Sequence, residues 1–341
     1  MKIILDAMGG DNAPEAPVLG AIEAAKLYGT EIILVGRGEE ILEVLKKHGI
    51  ENLPAGMEIS HADDVVDMHD DPASVIHKRK NSSMILGLKM LAEGRGDAFV
   101  SAGSTGALLT GATLIVKRVK GIRRAAMAPS MPTKAGTRAI ICDCGANAEC
   151  TPEFLLQFGL VGSAYAKNVH GVENPRVGLL NIGTEDSKGT QLQKDASVLL
   201  KGAAERGLIN FVGNVEARAV PLGEVDVVVC DGYSGNILIK SVEGTAIFMG
   251  SMLKRMFKKN LGSKIGYLLC KSGVSEMMKM LDSREIGGTQ FLGIKKPVIK
   301  CHGNSDALAF RNGVRQAMTA AKSNFTDQLE RDLAAMKESA V

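Results

Sequence analysis

Small polar clusters rich in Gly, Ser, Thr, Asn and Asp recur along the chain, and each follows a short apolar run. Glycine lets backbone N–H groups approach an anion, and hydroxyl and amide groups add further donors. This composition is typical of a phosphate site. The candidate phosphate- or substrate-binding residues in the clusters are Asp6, Gly9, Gly10, Asn12, Ser101, Gly103, Ser104, Thr105, Asn147, Asn181, Thr184, Asn236 and Ser305.

Each cluster taken alone is also explained by helix capping, and Ser104 and Ser305 are suitable N-cap residues. Capping does not require all clusters to follow successive strands, whereas a shared ligand site does. Neither GxxxxGK[ST] nor GxGxxG occurs, so loops of the ATP or dinucleotide type lack support. The clusters together therefore favour a phosphate site of another kind.

Three further side chains are candidates for catalysis. Lys188 lies in a polar loop flanked by glycines. Its positive charge could stabilise phosphate or a developing oxyanion, or it could be an ordinary solvated lysine. His302 follows a strand end and could protonate a leaving group, or only hydrogen-bond its loop. Asp231, like Asp6 and Asp143, could orient donors or bind Mg²⁺. No GxSxG motif or paired metal carboxylates occur, so we expect no serine acyl-enzyme, no metal site and no cofactor.

An acidic, His-containing stretch, residues 61–71, has the composition of a metal tract but is also typical of a solvated loop. The basic run 77–80 beside it would either neutralise these carboxylates or meet an acidic partner. The six cysteines show no CxxC spacing and are read as buried free thiols of a reducing compartment.

The elements that position these residues alternate between strands and helices. Several apolar runs do not alternate between apolar and polar residues, which is typical of strands that are covered on both faces. The predicted strands are Lys2–Leu5, Glu31–Val35, Asp97–Ser101, Arg138–Cys142, Arg176–Ile182, Asn210–Val212, Val225–Cys230 and Pro297–Lys300. The predicted helices are Pro14–Leu27, Glu39–Lys47, Ser82–Ala92, Thr105–Val116, Pro152–Lys167, Gln191–Lys201 and Ser305–Ala321.

This order predicts an α/β fold with a doubly wound, mainly parallel sheet, and we expect one large domain over residues 1–341. Residues 125–141 contain two extended runs around a Pro/Gly turn and predict a projecting hairpin. The length of 341 residues and 45% hydrophobic content provide a large core. A net charge of +3 and the absence of a long apolar run argue against disorder, a nucleic-acid partner or a membrane span.

Residues 252–280 carry a net charge of +6, which leaves the rest of the chain at −3. Apolar residues recur there at helical spacing opposite the lysines, and Gly262, Gly266 and Gly273 are expected to bend or break the helix into a hairpin within 245–285. Such a surface would contact anionic lipid or an acidic protein, or be a core or dimer helix with a solvated lysine face. The candidate contact residues are Leu253, Lys254, Phe257, Lys258, Leu261, Lys264 and Ile265.

Six of these segments together resemble the bacterial acyl-ACP:phosphate acyltransferases, the PlsX-type fatty acid and phospholipid synthesis proteins. The matching segments are DAMGGD (6–11), SAGSTGA (101–107), DCGAN (143–147), NIGTEDSKG (181–189), DVVVCDGYSGNILIK (226–240) and residues 287–305. They span nearly the whole chain in family order. Gln290-Phe291, after the Gly287-Gly288 pair, is a small and conservative departure.

The resemblance implies that a fatty acyl group passes from acyl carrier protein (ACP) to inorganic phosphate, giving acyl-phosphate for glycerol-3-phosphate acylation. It further implies a homodimer, a fold similar to the isocitrate/isopropylmalate dehydrogenases and phosphotransacetylases, and a cytoplasmic protein peripherally associated with the inner face of the cell membrane. The downstream glycerol-3-phosphate acyltransferase is a candidate partner.

For the reaction that the resemblance implies, our mechanistic hypothesis is direct attack by phosphate on the thioester. Ser101, Ser104, Thr105 and Asn147 would hold phosphate, Lys188 would stabilise the oxyanion, and His302 or Asp231 would assist the departing thiolate. Three alternatives remain at this point: a phosphotransacetylase-like enzyme that uses acyl-CoA, a dehydrogenase on the related fold, and a non-catalytic acyl-ACP-binding scaffold.

Overall fold

A computed structural model describes residues 1–323 and 325–338, and its strands form two sheets. In spatial order, the seven-stranded sheet contains β3 (Met57–His61), β2 (Glu31–Gly36), β1 (Lys2–Asp6), β4 (Ala98–Ser101), β12 (Val298–Lys300), β11 (Thr289–Leu292) and β5 (Ala126–Ala128). The five-stranded sheet contains β6 (Ser130–Pro132), β7 (Arg138–Cys142), β10 (Val227–Val229), β8 (Arg176–Leu180) and β9 (Asn210–Val215).

Both sheets are mainly parallel, which confirms the predicted α/β class. Every predicted strand is present, with ends shifted by at most a few residues. The antiparallel pairs are β5 with β11, β11 with β12, and β6 with β7. The strands divide between two sheets, and the assignment of residues 1–341 to one domain stays a prediction.

The helices connect and cover these sheets. They are α1 (Glu15–Tyr28), α2 (Gly38–Lys47), α3 (Val75–Lys78), α4 (Ser83–Ala92), α5 (Thr105–Gly111), α6 (Pro152–His170), α7 (Gln191–Glu205), α8 (Ala219–Leu222), α9 (Gly232–Lys258), α10 (Leu261–Met280), α11 (Ser283–Ile286), α12 (Ala307–Lys322) and α13 (Phe325–Glu338). All seven predicted helices form. The predicted helix that starts at Thr105 continues from α5 into a π-helical turn, Ala112–Val116.

The central strands are buried on both faces. In β1, Ile3 and Leu5 pack with α1 and α12, whereas Ile4 packs with α4 on the other face. In β10 of the second sheet, Val227 and Val229 pack with α6 and α7, and Val228 faces the opposite side. Because helices cover both sides, these strands are continuously apolar rather than alternating. The core therefore leaves the strand ends as the places where polar loops gather.

Both predicted hairpins form, with differences in detail. The hairpin before β7 pairs Met131 with Ala139 and forms the edge of the five-stranded sheet. The helical hairpin consists of α9 and α10, but α10 runs unbroken through all three glycines that we expected to break it. The turn lies instead at Asn260, whose side chain accepts a hydrogen bond from Ser263 N at 2.8 Å and caps α10. The cap, not glycine, decides where the hairpin turns.

Candidate functional site

The loops after β1 and β4 meet at Asp6, which is fully buried. Ser101 Oγ donates to Asp6 Oδ2 at 2.7 Å, and Gly103 N donates to Ser101 Oγ at 3.1 Å. A methyl group at Gly9 would lie 2.6 Å from Asp6 Oδ2, so only glycine allows this approach. Burial raises the pKa of Asp6, and the hydrogen bond from Ser101 opposes that effect. Of the roles left open for Asp6, the geometry shows that it orients donors.

The loop after β12 joins the same edge of the sheet. Asp11 N donates to Gly303 O at 2.7 Å, and Asn12 Nδ2 donates to the carbonyl groups of Asn304 and Ser305 at 3.1 and 3.2 Å. The predicted residues that follow β1, β4 and β12 are therefore brought together.

Lys300, which we did not predict, lies beneath these loops. Its Nζ donates to Ala102 O at 3.3 Å and to Cys301 O, so one buried ammonium group joins the loops after β4 and β12. Burial lowers its pKa, and the charges of Asp11 and Asp6 oppose that effect. No motif marks this lysine in the sequence. Only the neighbouring position of the two strands shows its role.

Two serine hydroxyl groups at this edge are uncommitted. Ser104 is at the N-cap position of α5 but makes no capping hydrogen bond with its side chain. Ser305 does not cap α12, because Asp306 does so by accepting from Ala309 N at 3.0 Å. Ser305 Oγ is buried without a hydrogen-bond partner. The capping explanation therefore fails for both serines, and Ser305 Oγ has no hydrogen-bond partner in the described part of the protein.

Asp143 organises the loop after β7. Its Oδ1 accepts from Met127 N and Cys144 N, both at 2.7 Å, and its Oδ2 accepts from Asn147 N at 2.6 Å and Asn147 Nδ2 at 3.0 Å. Asn147 Nδ2 also donates to Ala125 O at 2.9 Å. The Asn147 amide thus holds the loop together, and because its backbone and side-chain N–H groups are engaged within the loop, it has no N–H group left to donate to phosphate.

Asp231 caps α9, which begins at the end of the neighbouring strand β10. Its two oxygens accept from Ser234 N and Ser234 Oγ, each at 2.8 Å. Gly232 N donates to Asn147 O at 2.8 Å and fixes the start of α9 against the Asp143 loop. Asn236, one turn further along, is exposed. The structure thus places Asp231, Asn147 and Asn236 together, with Asp231 in a capping role.

Lys188 lies apart from these groups in an exposed loop after β8. Asn181 Nδ2 donates to Lys188 O at 3.2 Å, and Asn181 Oδ1 accepts from Ile182 N at 2.8 Å, so Asn181 shapes the loop. Thr184 and the Lys188 side chain are exposed. The loop is anchored to β9, where Asn214 Nδ2 donates to Glu185 O at 3.0 Å.

His302, in the loop after β12, lies beside α9. Its Nε2 lies 3.9 Å from Glu243 Oε1, and half of its side chain is exposed. Partial burial lowers its pKa, and the Glu243 carboxylate opposes that effect. His302 lines a cavity of about 790 Å³ that also includes Lys240, Glu243 and Ser305. The predicted acid therefore lies beside both the first-sheet loops and α9.

The helical hairpin presents most of the residues expected to contact lipid or ACP. Lys254, Lys258, Leu261, Lys264 and Ile265 are exposed. The other two predicted residues, Leu253 and Phe257, are half-buried, and Phe257 packs on Tyr267 with ring centroids 5.2 Å apart. Among the described residues, no helix is long and apolar enough to cross a membrane.

The acidic stretch 61–71 is neutralised locally. Arg79 Nε lies 2.9 Å from Asp70 and Arg79 Nη1 lies 3.1 Å from Asp64, which favours an internal role for the basic run. In the part of the chain that the structure describes, no group of three or more His, Cys, Asp or Glu side chains could hold a metal ion.

All six cysteines are free. The prediction of burial is wrong for Cys270, which is exposed on α10, whereas Cys150 is partly buried and the others are buried. Burial raises the pKa of Cys144 and Cys301 to about 12.

Comparison with known proteins gives a consistent result. The sequence model of the family described as "Fatty acid synthesis protein" matches residues 1–328. The phosphate acyltransferase of Alkaliphilus oremlandii is 46% identical over 318 residues, covering 93% of each chain. That of Clostridium acetobutylicum is 43% identical over 334 residues, covering 98% of this chain and 99% of the relative.

Solved structures share the fold at low identity. A phosphotransacetylase from Streptococcus pyogenes has a TM-score of 0.61 and 20% identity, with 95% of this chain and 94% of that chain covered. A 4-hydroxythreonine-4-phosphate dehydrogenase from Klebsiella pneumoniae has a TM-score of 0.57 and 11% identity, with 94% and 99% covered. The chain belongs to the fatty acid synthesis protein family of phosphate acyltransferases, and it is an acyltransferase.

Proposed function

We propose that this enzyme transfers a fatty acyl group from acyl-ACP to inorganic phosphate and releases acyl-phosphate and free ACP for phospholipid synthesis. The observation that carries the proposal is the meeting of the loops after β1, β4 and β12 at one edge of the sheet. There the Ser104 hydroxyl makes no capping bond and Ser305 Oγ is buried without a partner. Such donors, together with glycine-rich backbone, suit a phosphate.

The proposed step is direct attack and needs no protein nucleophile. A phosphate oxygen forms a bond to the thioester carbonyl carbon, the C–S bond breaks, and the thiolate leaves with its electron pair and takes up a proton. Burial raises the pKa of Cys144 and Cys301 to about 12, which makes these two thiols poor nucleophiles and argues against an acyl-enzyme at either of them. Ser101, held by Asp6, would act through the shape of its loop rather than through its hydroxyl group.

His302 is the proposed acid for the thiolate, because it lines the cavity between α9 and the loop after β12, beside Glu243. Lys188 would stabilise the oxyanion, which requires its exposed loop to approach the substrate. Asp231, whose oxygens are both engaged by Ser234, would act by fixing α9 rather than by proton transfer.

The helical hairpin is the proposed docking surface for the substrate carrier and the membrane. Its exposed lysines suit the acidic surface that the resemblance implies for ACP, and its exposed apolar side chains, such as Ile265 and Leu269, suit a lipid interface. We further propose a homodimer in the cytoplasm, peripherally associated with the inner membrane face and able to deliver acyl-phosphate to the glycerol-3-phosphate acyltransferase.

The test is to supply labelled inorganic phosphate with either palmitoyl-ACP or palmitoyl-CoA and to trap acyl-phosphate as the hydroxamate. We expect labelled product with kcat/KM at least tenfold higher for the ACP thioester. Equal or faster reaction of the CoA thioester would instead support the phosphotransacetylase-like alternative. Ser104→Ala should raise the KM for phosphate about three- to tenfold, since one neutral hydrogen bond contributes roughly 0.5–1.5 kcal/mol.

A further inference from the structure

A cationic cavity lies away from the candidate phosphate site. It has a volume of about 290 Å³ and lies between α6, the start of β7, and α12. Its polar lining includes Arg138, His170, Arg315, Gln316 and Thr319. The same lining includes no Asp or Glu, so the cavity carries two fixed positive charges and a third when His170 is protonated.

The two arginines are not neutralised by carboxylates. In the described part of the chain, the Arg138 guanidinium makes no hydrogen bond or ion pair, and Arg315 uses one N–H group to donate to Glu285 O at 2.6 Å. Burial lowers the pKa of Arg138, and the positive charge of Arg315 lowers it further. Both arginine side chains are exposed, and an anion bound between them would relieve the repulsion of their like charges.

The cavity is lined by none of the candidate phosphate-binding residues, and it lies at the other end of β7 from the Asp143 loop. Arg138 begins β7 and Cys142 ends it, so the cavity lies roughly 13 Å from the Asp143 loop at about 3.3 Å per residue. Its walls come from both sheet layers: Arg138 and His170 belong to the five-stranded sheet and its helix, and Arg315 lies on α12 of the other layer. A ligand there would join the two layers.

We infer that Arg138 and Arg315 form a second anion site for a small phosphate-bearing molecule, distinct from the site of acyl transfer. Guanidinium groups match tetrahedral oxyanions through paired N–H donors, and two arginines on opposite walls can bind one dianion from both sides. The volume of about 290 Å³ suits inorganic phosphate or a small phosphate monoester. This inference concerns binding alone and does not depend on which acyl donor the enzyme uses.

The experiment measures anion binding by calorimetry without acyl substrate. Inorganic phosphate, a simple monoester such as phenyl phosphate, and sulfate are titrated separately. The variants are Arg138→Gln, Arg315→Gln and Arg315→Lys, with Arg206→Gln as the control because Arg206 is exposed and donates only to Gly202 O of its own helix. Crystals soaked in tungstate locate the bound anion by anomalous scattering.

Apart from phosphate binding at the Ser104 loop, we expect a second binding event that is unchanged in Ser104→Ala but at least tenfold weaker, by about 1.4 kcal/mol, in either glutamine variant. Arg206→Gln should leave it unchanged, Arg315→Lys should weaken it less than Arg315→Gln, and a tungstate peak should lie between Arg138 and Arg315. The two dissociation constants show whether the cavity prefers free phosphate or a phosphate monoester.

Three results would overturn the inference. The first is that all three anions bind with equal affinity and that the arginine variants do not change this affinity. The second is a tungstate peak only at the Ser104 loop. The third is a change in sedimentation of the arginine variants with no change in anion binding, which would assign the cluster to a contact between two copies of the chain.

Discussion

Asp143→Asn tests the proposal that one buried carboxylate builds the loop after β7. The substitution replaces one acceptor oxygen by an NH2 group, whichever way the amide turns. Each oxygen of Asp143 now accepts two N–H groups at 3.0 Å or less, so two donors lose their acceptor. A buried donor left unpaired costs about 1–3 kcal/mol, so we expect a loss of about 2–6 kcal/mol in the free energy of unfolding.

The assay is urea unfolding followed by circular dichroism, since the chain contains no Trp. Asp195→Asn is the matched control: Asp195 is exposed and accepts one hydrogen bond from Gln191 Nε2 at 2.7 Å. The control should change stability by less than about 0.5 kcal/mol. If Asp143→Asn falls within that same range, water satisfies the donors and the loop does not depend on the carboxylate.

Three other predictions follow from single contacts. Although burial raises the pKa of Asp226, the Arg176 hydrogen bonds hold it below its ordinary value; this stabilisation, present above pH 4, should be lost on acidification. Arg176→Met should lower the free energy of unfolding by about 1–2 kcal/mol at pH 7 and make the melting temperature less dependent on pH between pH 5 and 3. An unchanged pH dependence would contradict the assignment. Lys300→Met should lower the melting temperature more than Lys296→Met. Lys296 is the control because its ammonium group donates to Leu91 O, at 2.9 Å, and lies away from the site. Equal melting temperatures of the two variants would show that Lys300 does not join the loops. Lys188→Ala should lower kcat at least tenfold with no change in melting temperature, because the side chain is exposed, and unchanged kinetics would remove Lys188 from the mechanism.

The sequence predicted the buried strands well because their apolar runs are determined by local composition. It missed β3, whose residues are exposed or only half-buried at a sheet edge, and β11, which contains the buried Gln290. The position of the helical turn was also missed. A single capping residue, Asn260, begins α10. In the sequence, the three glycines looked like stronger helix breakers, but α10 accommodates them.

The candidate site was predicted as a set of loops, but not as a set of roles. Gly, Ser and Asp after successive strands predict the edge of the sheet where a ligand is expected to bind. Roles depend on contacts between distant segments: Lys300 reaches Ala102 across 198 positions of sequence. In the same way, Ser305 was expected to cap α12, and only the structure shows that Asp306 does so and leaves Ser305 Oγ unpartnered.

The most direct test of the central claim is the release of free ACP thiol from long-chain acyl-ACP with and without inorganic phosphate. Direct attack predicts release only with phosphate, and one acyl-phosphate formed for each thiol. Thiol release at the same rate without phosphate would indicate hydrolysis and contradict phosphate as the nucleophile. Tight binding of acyl-ACP with no thiol release would contradict the proposed transfer from ACP and favour a non-catalytic role toward this carrier.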